Sequence, residues 1–268
     1  MTLEQILILA IVQGITEFLP ISSSAHLVLV PLLSGWQDQG VVFDVALHVG
    51  TLFAVMLYFY KRTLQMTKGG VHVLTGRFST NEAKLFGLLL LATIPVLISG
   101  YFLKDFVADG ARSFKVLGIT SIVFGVLLWV SDLFPRYQHG GLKQITWLHA
   151  MFFGVMQALA IIPGTSRSGG TMTAGRFMGF SRRHAAEFSM LMAIPVLIIT
   201  GLYTAYDSMG TAVNWQSAAH EMLLGVGLSF VSALFAIWFL MKLINSIGFG
   251  PFVFYRIMLG TALLVLAL

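Results

Sequence analysis

Glu17 and His26 belong to a stretch that begins inside an apolar run and then turns polar. Segment 14–26 reads GITEFLPISSSAH. An ionisable side chain at membrane depth is costly and usually functional. Glu17 follows Gln13 by four residues, which places both on one helix face. A lone carboxylate there is either a protonated structural group or a metal ligand, and oxygen-rich surroundings favour a hard divalent cation over zinc.

Ser23 and His26 are three residues apart, about one helical turn. This spacing allows a nucleophile and its general base, or a histidine that attacks phosphorus itself. A hydrogen-bonded histidine at a capped helix start is the structural alternative. We expect interfacial or structural roles for the other histidines: His48 in a span with no nearby acid, His72, His139 and His220 in loops, and His149 and His184 near span ends.

Arg167 lies in a second polar segment, 163–171, which reads PGTSRSGGT. Ser166, Ser168 and Thr171 flank it. A guanidinium, hydroxyl groups and backbone N–H groups at a helix start together form a cradle for phosphate. The alternative is an arginine that extends to the membrane surface, but glycine and serine offer it little apolar surface to lie along. Glu187, near Arg182 and Arg183, is predicted to be an ion-pair or helix-start residue.

The composition is that of an integral membrane protein. The chain has 268 residues, of which 57% are hydrophobic and 10% charged, and its mean hydropathy is +0.87. It contains no cysteine, which excludes disulfides and thiolate metal sites. The net charge of +5 forms no basic, aromatic-interleaved stripe, so nucleic acid is not an expected partner. The first apolar run lacks a basic n-region, and we expect it to belong to the mature fold.

Apolar runs predict an all-α polytopic fold with about six crossings and two re-entrant helical hairpins. Segments 3–33 and 147–176 each contain an apolar half followed by a polar break. Two loosely packed crossings apiece are the alternative for these segments. The six crossings are predicted at 41–60, 85–103, 116–131, 185–203, 222–240 and 251–268.

Lysine and arginine in the short connections predict the orientation. The loop after the first crossing carries Lys61, Arg62, Lys68, Arg77 and Lys84 against a single acid, and we expect it to be cytoplasmic. Connection 104–115 and both termini then lie outside, and the two hairpins enter from opposite faces. Arg136, Lys143, Arg182, Arg183 and Lys242 are then predicted to lie inside.

The two polar segments resemble each other, which predicts an inverted repeat within a single membrane domain of residues 1–268. Repeat 1 covers about 1–135 and repeat 2 about 145–268. Pro20 pairs with Pro163, and each is expected where the second half of its hairpin begins. Chance similarity between apolar segments is the alternative. The same pairing matches Ser22 with Thr165 and Ser23 with Ser166.

QGITEFLPISSSAH and PGTSRSGGT resemble the two hallmark motifs of the bacterial undecaprenyl-diphosphate phosphatases, the bacitracin-resistance family. The similarity extends over nearly the whole chain and includes AAEFSMLMAIP after the second motif. It implies removal of the terminal phosphate of undecaprenyl diphosphate, which recycles the lipid carrier for peptidoglycan synthesis. It also implies a divalent cation, Mg²⁺ or Ca²⁺, and a bacterial cytoplasmic (inner) membrane location.

By this resemblance Glu17 and His26 are essential residues and Ser23 is the nucleophile. Gln13 replaces a glutamate found in some members, so a cation held by Glu17 and Gln13 would have one anionic ligand fewer. The predicted mechanism has His26 activate Ser23, with direct attack by His26 as the alternative. The phosphate-binding positions are Ser166, Arg167 and Thr171, and Ser22 and Ser168 complete the predicted diphosphate site.

A transporter or flippase for an anionic polyprenyl phosphate lipid is the rival function, because inverted repeats with broken helices are typical of transporters. Such a protein would need Glu17 and Arg167 for binding but no nucleophile. A structural scaffold would not explain the cluster of glutamate, arginine and serine. The expected partners are a polyprenyl diphosphate lipid and the membrane, and a homodimer is left open.

Overall fold

The fold is entirely helical across the residues that the computed structural model describes, 1–109, 113–136, 141–208 and 215–268. This confirms the predicted fold class. The helices are α1 Leu3–Phe18, α2 Ser23–Ser34, α3 Val41–Tyr58, α4 Tyr60–Leu74, α5 Asn81–Asp109, α6 Phe114–Asp132, α7 Trp147–Leu159, α8 Arg167–Phe177, α9 Arg182–Ser208, α10 Trp215–Ile247 and α11 Gly250–Leu266, with a 3-10 helix at Gly141–Gln144.

Five helices in the described part of the chain, α3, α5, α6, α9 and α10, are long and apolar enough to cross a membrane. They correspond to the first five predicted crossings. The sixth corresponds to α11, an apolar helix of 17 residues, at the short end of the roughly 17–25 residues that a crossing requires. The chain is a multi-pass membrane protein.

The two predicted hairpins consist of half-length helices. Helices α1 and α2 have 16 and 12 residues, and α7 and α8 have 13 and 11. At about 1.5 Å per residue, each is shorter than the roughly 30 Å hydrocarbon core. Turns at 19–22 and 160–166 separate the halves. This is the pattern of lengths expected for re-entrant hairpins, while the inverted orientation of the repeats stays a prediction.

The predicted position of the two prolines is wrong. Helix α2 begins at Ser23 and α8 at Arg167, so Pro20 and Pro163 lie within the turns that precede these helices. Ser22 and Ser166 occupy the N-cap position just before each helix. The Ser166 hydroxyl accepts the N–H of Gly169, as serine N-caps commonly do, whereas the Ser22 hydroxyl makes no such capping bond.

The helix starts change the pairing of residues between the two repeats by one position. Ser22 corresponds to Ser166 in the structure rather than to Thr165, since both are N-caps with positive φ. The separation of 144 residues is the same as that between Gln13 and Gln157. The similarity between the two segments therefore continues without the one-residue offset that their prolines suggested.

Glycines allow the first helix of each hairpin to approach a long helix closely. A Cβ atom on Gly14 of α1 would lie 2.7 Å from the carbonyl oxygen of Ser229 in α10. A Cβ atom on Gly154 of α7 would lie 2.6 Å from the carbonyl oxygen of Ala92 in α5. Each hairpin is thus packed against a long apolar helix, which shields backbone groups that lipid could not satisfy.

The predicted loop after the first crossing is mostly a helix. Its basic residues Lys61, Arg62 and Lys68 lie on α4, which packs against α5. His72 and His220 were also expected in loops, but they lie on α4 and α10. The predicted external connection 104–115 overlaps α5 and α6, and its residues 110–112 lie outside the described residues, as does His139.

Candidate active site

Glu17 and Arg167 join the two hairpins through a buried ion pair. Arg167 Nη2 donates to Glu17 Oε1 at 2.7 Å, and the two side chains are 16% and 5% exposed. Ser23 Oγ donates to the other carboxylate oxygen, Oε2, at 2.7 Å. Gln13 Nε2 donates to the same oxygen at 3.1 Å. The structure therefore brings these predicted site residues together around one carboxylate.

The second helix of each hairpin starts at this carboxylate. Ser23 is the first residue of α2 and Arg167 is the first residue of α8. The preceding N-caps, Ser22 and Ser166, have φ angles of 73° and 69°. Strained backbone of this kind is concentrated at functional sites. Two helix N-termini with free N–H groups form a binding place for an anion.

A cavity of about 180 Å³ lies at the meeting point of the hairpins. Its polar wall carries a carboxylate, a guanidinium, serine hydroxyls and an imidazole, and its apolar wall comes from α9. This combination suits a phosphate group attached to an apolar chain. The lining residues are Glu17, Ser22, Ser23, Ser24, His48, Ala160, Ser166, Arg167, Val196 and Leu197.

His26 lies near these residues, but its ring nitrogens are engaged elsewhere. Nδ1 lies 2.7 Å from the carbonyl oxygen of Ser22, which can only accept, so Nδ1 carries the proton. Nε2 forms a hydrogen bond with the hydroxyl of Tyr255, whose ring stacks on the imidazole at a centroid distance of 5.6 Å. The Ser23 hydroxyl thus donates its hydrogen bond to Glu17 and not to His26.

His48 lies against Glu17, so the expectation that it has no nearby acid is wrong. Its Nε2 is 3.5 Å from Glu17 Oε2. The two residues are 31 positions apart in the sequence, and only the packing of α1 against α3 brings them together. The signal that identified Glu17, an ionisable group inside an apolar segment, applied equally to His48.

Residues 6–262 match the family described as Bacitracin resistance protein BacA. The chain belongs to this family. "Undecaprenyl-diphosphatase 1" of Pseudoalteromonas translucida (strain TAC 125) is 45% identical over 267 residues, which cover 99% of this chain and 98% of the relative. "Undecaprenyl-diphosphatase 2" of Stutzerimonas stutzeri (strain A1501) is 46% identical over 274 residues, with 99% and 98% covered. "Undecaprenyl-diphosphatase" of Aliivibrio salmonicida (strain LFI1238) is 46% identical over 267 residues, with 98% of each chain covered.

Arg256 is a site-supporting residue of this BacA-family chain that sequence reasoning missed. Its side chain is fully buried in α11. The guanidinium donates to Pro20 O in the first hairpin turn and to Gly164 O and Thr165 O in the second, at 3.3, 3.0 and 2.9 Å. It also donates to two carbonyl oxygens of α6. One side chain therefore ties both turns to the same helix pair.

Two of the predicted phosphate-binding residues, Ser168 and Thr171, form hydrogen bonds that fix helix α8 next to the cavity. Ser168 Oγ donates to the carbonyl oxygen of Leu19 at 2.9 Å, which links α8 to the first hairpin. Thr171 Oγ1 donates to the carbonyl oxygen of Arg167 at 2.8 Å and pairs with Ser189 Oγ at 2.6 Å. Both side chains are buried and neither lines the cavity. Their hydrogen bonds hold α8 against the first hairpin and α9.

The residues of this BacA-family site do not fit a resident metal centre. Among the described residues, no group of three or more histidine, aspartate and glutamate side chains could hold a metal ion. Glu17, the expected anionic ligand, already accepts bonds from Arg167, Ser23 and Gln13. Gln13 turns its amide nitrogen toward Glu17, while its Oε1 is buried without a described partner. The predicted pair of Glu17 and Gln13 therefore offers one carboxylate that is already neutralised by arginine.

The remaining sequence candidates have local roles. Glu187 forms an ion pair, as expected, but with Arg62 of α4 at 2.8 Å. Arg182 pairs with Asp132 instead. The histidines at helix ends make short-range hydrogen bonds: His72 with Thr80, His149 with Thr146, and His184 with Ser181.

Proposed function

We propose that this chain hydrolyses undecaprenyl diphosphate to undecaprenyl phosphate and inorganic phosphate. The observation that carries this function is the buried Glu17–Arg167 pair with the Ser23 hydroxyl on the same carboxylate, at two helix N-termini in a membrane protein. The relatives with 45–46% identity over the whole chain bear the name undecaprenyl-diphosphatase. The product returns the lipid carrier to peptidoglycan synthesis.

Arg167 and the helix N-termini bind the diphosphate. A guanidinium has five N–H donors in a planar fork, which suits phosphate oxygens and allows contact with more than one acceptor. The free backbone N–H groups of α2 and α8 supply further donors to the same cavity. The apolar wall formed by Val196 and Leu197 faces the start of the prenyl chain. The rest of the prenyl chain extends into the lipid bilayer.

Ser23 is the preferred nucleophile, with Glu17 as the proton acceptor. Ser23 Oγ attacks the terminal phosphorus and passes its proton to Glu17 Oε2, 2.7 Å away. The bond from that phosphorus to the bridging oxygen breaks, and undecaprenyl phosphate leaves with this oxygen. Water then attacks the phosphoserine, and Glu17 returns its proton to the Ser23 oxygen as the bond from phosphorus to that oxygen breaks. One proton of the water stays on the released inorganic phosphate and the other passes to solvent, so Glu17 is ionised again. Arg167 stabilises the charge on the transferred phosphoryl group.

Attack by His26, giving a phosphohistidine, is the competing route. In this arrangement both ring nitrogens of His26 have partners, Ser22 and Tyr255. The imidazole would have to leave Tyr255 before Nε2 could reach phosphorus. Ser23 needs no such rearrangement, and its proton acceptor is already in contact. The geometry therefore favours serine as the nucleophile, and His26 then acts in the reaction as a polar group whose orientation is fixed by Tyr255.

We propose that the divalent cation binds to the diphosphate of the substrate and reaches the site together with it. One carboxylate already paired with arginine does not form a cation site, whereas Mg²⁺ in proteins is often held by one or two carboxylates together with substrate phosphates. We therefore expect the cation to arrive on the diphosphate. We place the protein in the bacterial cytoplasmic (inner) membrane, and a homodimer stays a prediction that cross-linking in native membranes can test.

Phosphate release from undecaprenyl diphosphate by the purified protein in detergent tests the function. We expect release by the wild type in the presence of Mg²⁺ and loss of release in Arg167→Ala. Arg77→Ala is the matched control, because Arg77 is exposed in the turn after α4. Absence of release from a well-folded wild-type protein would contradict the proposal and favour transport of an anionic lipid.

A further inference from the structure

His48 contacts Glu17, and the proposed reaction assigns no role to this histidine. Its Nε2 faces Glu17 Oε2 at 3.5 Å, the same oxygen that accepts the Ser23 hydroxyl. Glu17 thus has Arg167 on one carboxylate oxygen and Ser23, Gln13 and His48 around the other. The histidine is the member of this group that comes from a membrane-spanning helix outside both hairpins.

The ring of His48 is held in place by its own helix. Nδ1 lies 2.7 Å from the carbonyl oxygen of Asp44, one turn earlier in α3. A carbonyl oxygen can only accept, so Nδ1 carries a proton and the ring is anchored at that end. The opposite nitrogen, Nε2, is then directed at the carboxylate of Glu17. A carboxylate only accepts, so Nε2 also carries a proton and the contact is an ion pair between an imidazolium and a carboxylate. Anchoring one ring nitrogen to fix the aim of the other is a general use of histidine in functional sites.

His48 also stands between two cavities. It lines the catalytic cavity and a neighbouring one of about 200 Å³, whose walls include Asp38, Gln39 and Asp44. Ser24 and Ala160 are the other residues common to both. The side chain of His48 is 30% exposed, so it borders space that a bound molecule or water can occupy.

We propose that His48 is a positioning residue that keeps the Glu17 carboxylate directed at Ser23 when the diphosphate draws on Arg167. This inference rests on the proposed function. An incoming phosphate competes with Glu17 for the guanidinium of Arg167, which weakens the ion pair that holds Oε1. In the part of the chain that the structure describes, His48 is anchored to α3 and makes no hydrogen bond to either hairpin turn, so its contact with Oε2 survives that competition. Glu17 then stays oriented as the proton acceptor of Ser23.

Substitutions at His48 test the proposal by separating kcat from KM. We expect His48→Ala to lower kcat by about 10- to 100-fold, the order of effect of losing one polar contact to a charged group, with KM changed by less than about threefold. His48→Gln should restore at least part of kcat, because its amide can still donate to Glu17. His72→Gln is the matched control, since His72 lies near the C-terminal end of α4 and bonds Thr80, the residue before α5. A wild-type kcat in His48→Ala would overturn the role. An equal loss of kcat in His48→Ala and His48→Gln, at unchanged thermal stability, would overturn it as well.

A double-mutant cycle on thermal unfolding in detergent provides a second readout that does not require activity. His48→Ala, Glu17→Gln and the double variant should show a non-additive change in Tm, because the first change removes the contact and the second removes the charge of its acceptor. Additive changes would overturn the contact. If the wild type releases no phosphate but the cycle is non-additive, the proposed function fails while the contact stands, so the two failures are distinguishable.

Discussion

Ser22 and Ser166 hold the same position in the two hairpins and share the same strained backbone. Each is the N-cap of a short helix, with φ of 73° and 69°, and each pairs its hydroxyl with the serine two residues later at 3.2 Å. The turns bring the N-termini of α2 and α8 to one cavity. The anion site depends on both turns being kept in this conformation.

Substitution of Ser22 by valine should therefore be far more damaging than substitution by glycine. Glycine adopts positive φ without strain, whereas a β-branched residue there costs of the order of 1–3 kcal/mol. We expect Ser22→Gly to keep a Tm close to the wild type and Ser22→Val to lower both Tm and phosphate release. Thermal unfolding in detergent measures the first effect. Equal Tm values for the two variants would show that φ at this position is not strained.

Arg167 should matter much more than Gln13. Loss of a donor that stabilises transition-state charge costs roughly 10²- to 10³-fold in kcat, whereas Gln13 contributes one hydrogen bond to Glu17. We expect Arg167→Lys to be strongly impaired as well, because a lysine cannot reproduce the planar fork. Gln13→Leu should lose no more than about tenfold. Steady-state phosphate release compares Arg167→Ala, Arg167→Lys and Gln13→Leu, and similar losses in all three would contradict this division of roles.

The identity of the nucleophile can be read from the chemistry of a trapped intermediate. Phosphoserine is stable to acid and phosphohistidine is not. We expect acid quenching during turnover of terminally ³²P-labelled substrate to leave label on the protein, and Ser23→Ala to abolish it. His26→Ala should retain an acid-stable label if it turns over at all. Label that is lost in acid but kept in alkali would identify His26 as the nucleophile.

Tyr255 should act through His26. Its hydroxyl bonds Nε2 of His26 and its ring stacks on the imidazole. Tyr255→Phe keeps the stacked ring and removes the hydrogen bond, so we expect a loss in kcat of roughly tenfold with little change in Tm. Tyr203→Phe is the matched control, because Tyr203 is 60% exposed on α9. An unchanged kcat in Tyr255→Phe would show that the hydroxyl does not orient His26 for the reaction.

Arg256 should decide the stability of both hairpin turns at once. Arg256→Met removes the donors of five backbone carbonyl groups, and each buried group left without a partner costs about 1–3 kcal/mol. We expect a lower Tm and the loss of phosphate release together, with Arg77→Met unaffected. Arg256→Lys should recover only part of the stability, because one ammonium group cannot reach all five acceptors. A wild-type Tm in Arg256→Met would refute this role.

The sequence by itself determined the membrane class, the all-helical fold, the long crossings and the two polar segments that carry the chemistry. These features follow from composition and from the lengths of apolar runs, which are local properties of the chain. Gln13, Glu17, Ser23 and Arg167 could be predicted because their residue types are conspicuous in apolar segments. The prolines misled the placement of the helix starts, because the serine caps at positive φ leave no direct trace in spacing.

Only the tertiary structure decided which groups touch. His48 reaches Glu17 through the packing of α3 against α1, Tyr255 reaches His26 from 229 residues away, and Arg256 joins both turns from α11. These contacts depend on the way the helices cross, which the pattern of one segment does not encode. The Ser23–Glu17 contact was decided in the same way, since the turn at 19–22 folds α2 back so that its first hydroxyl meets the carboxylate of α1.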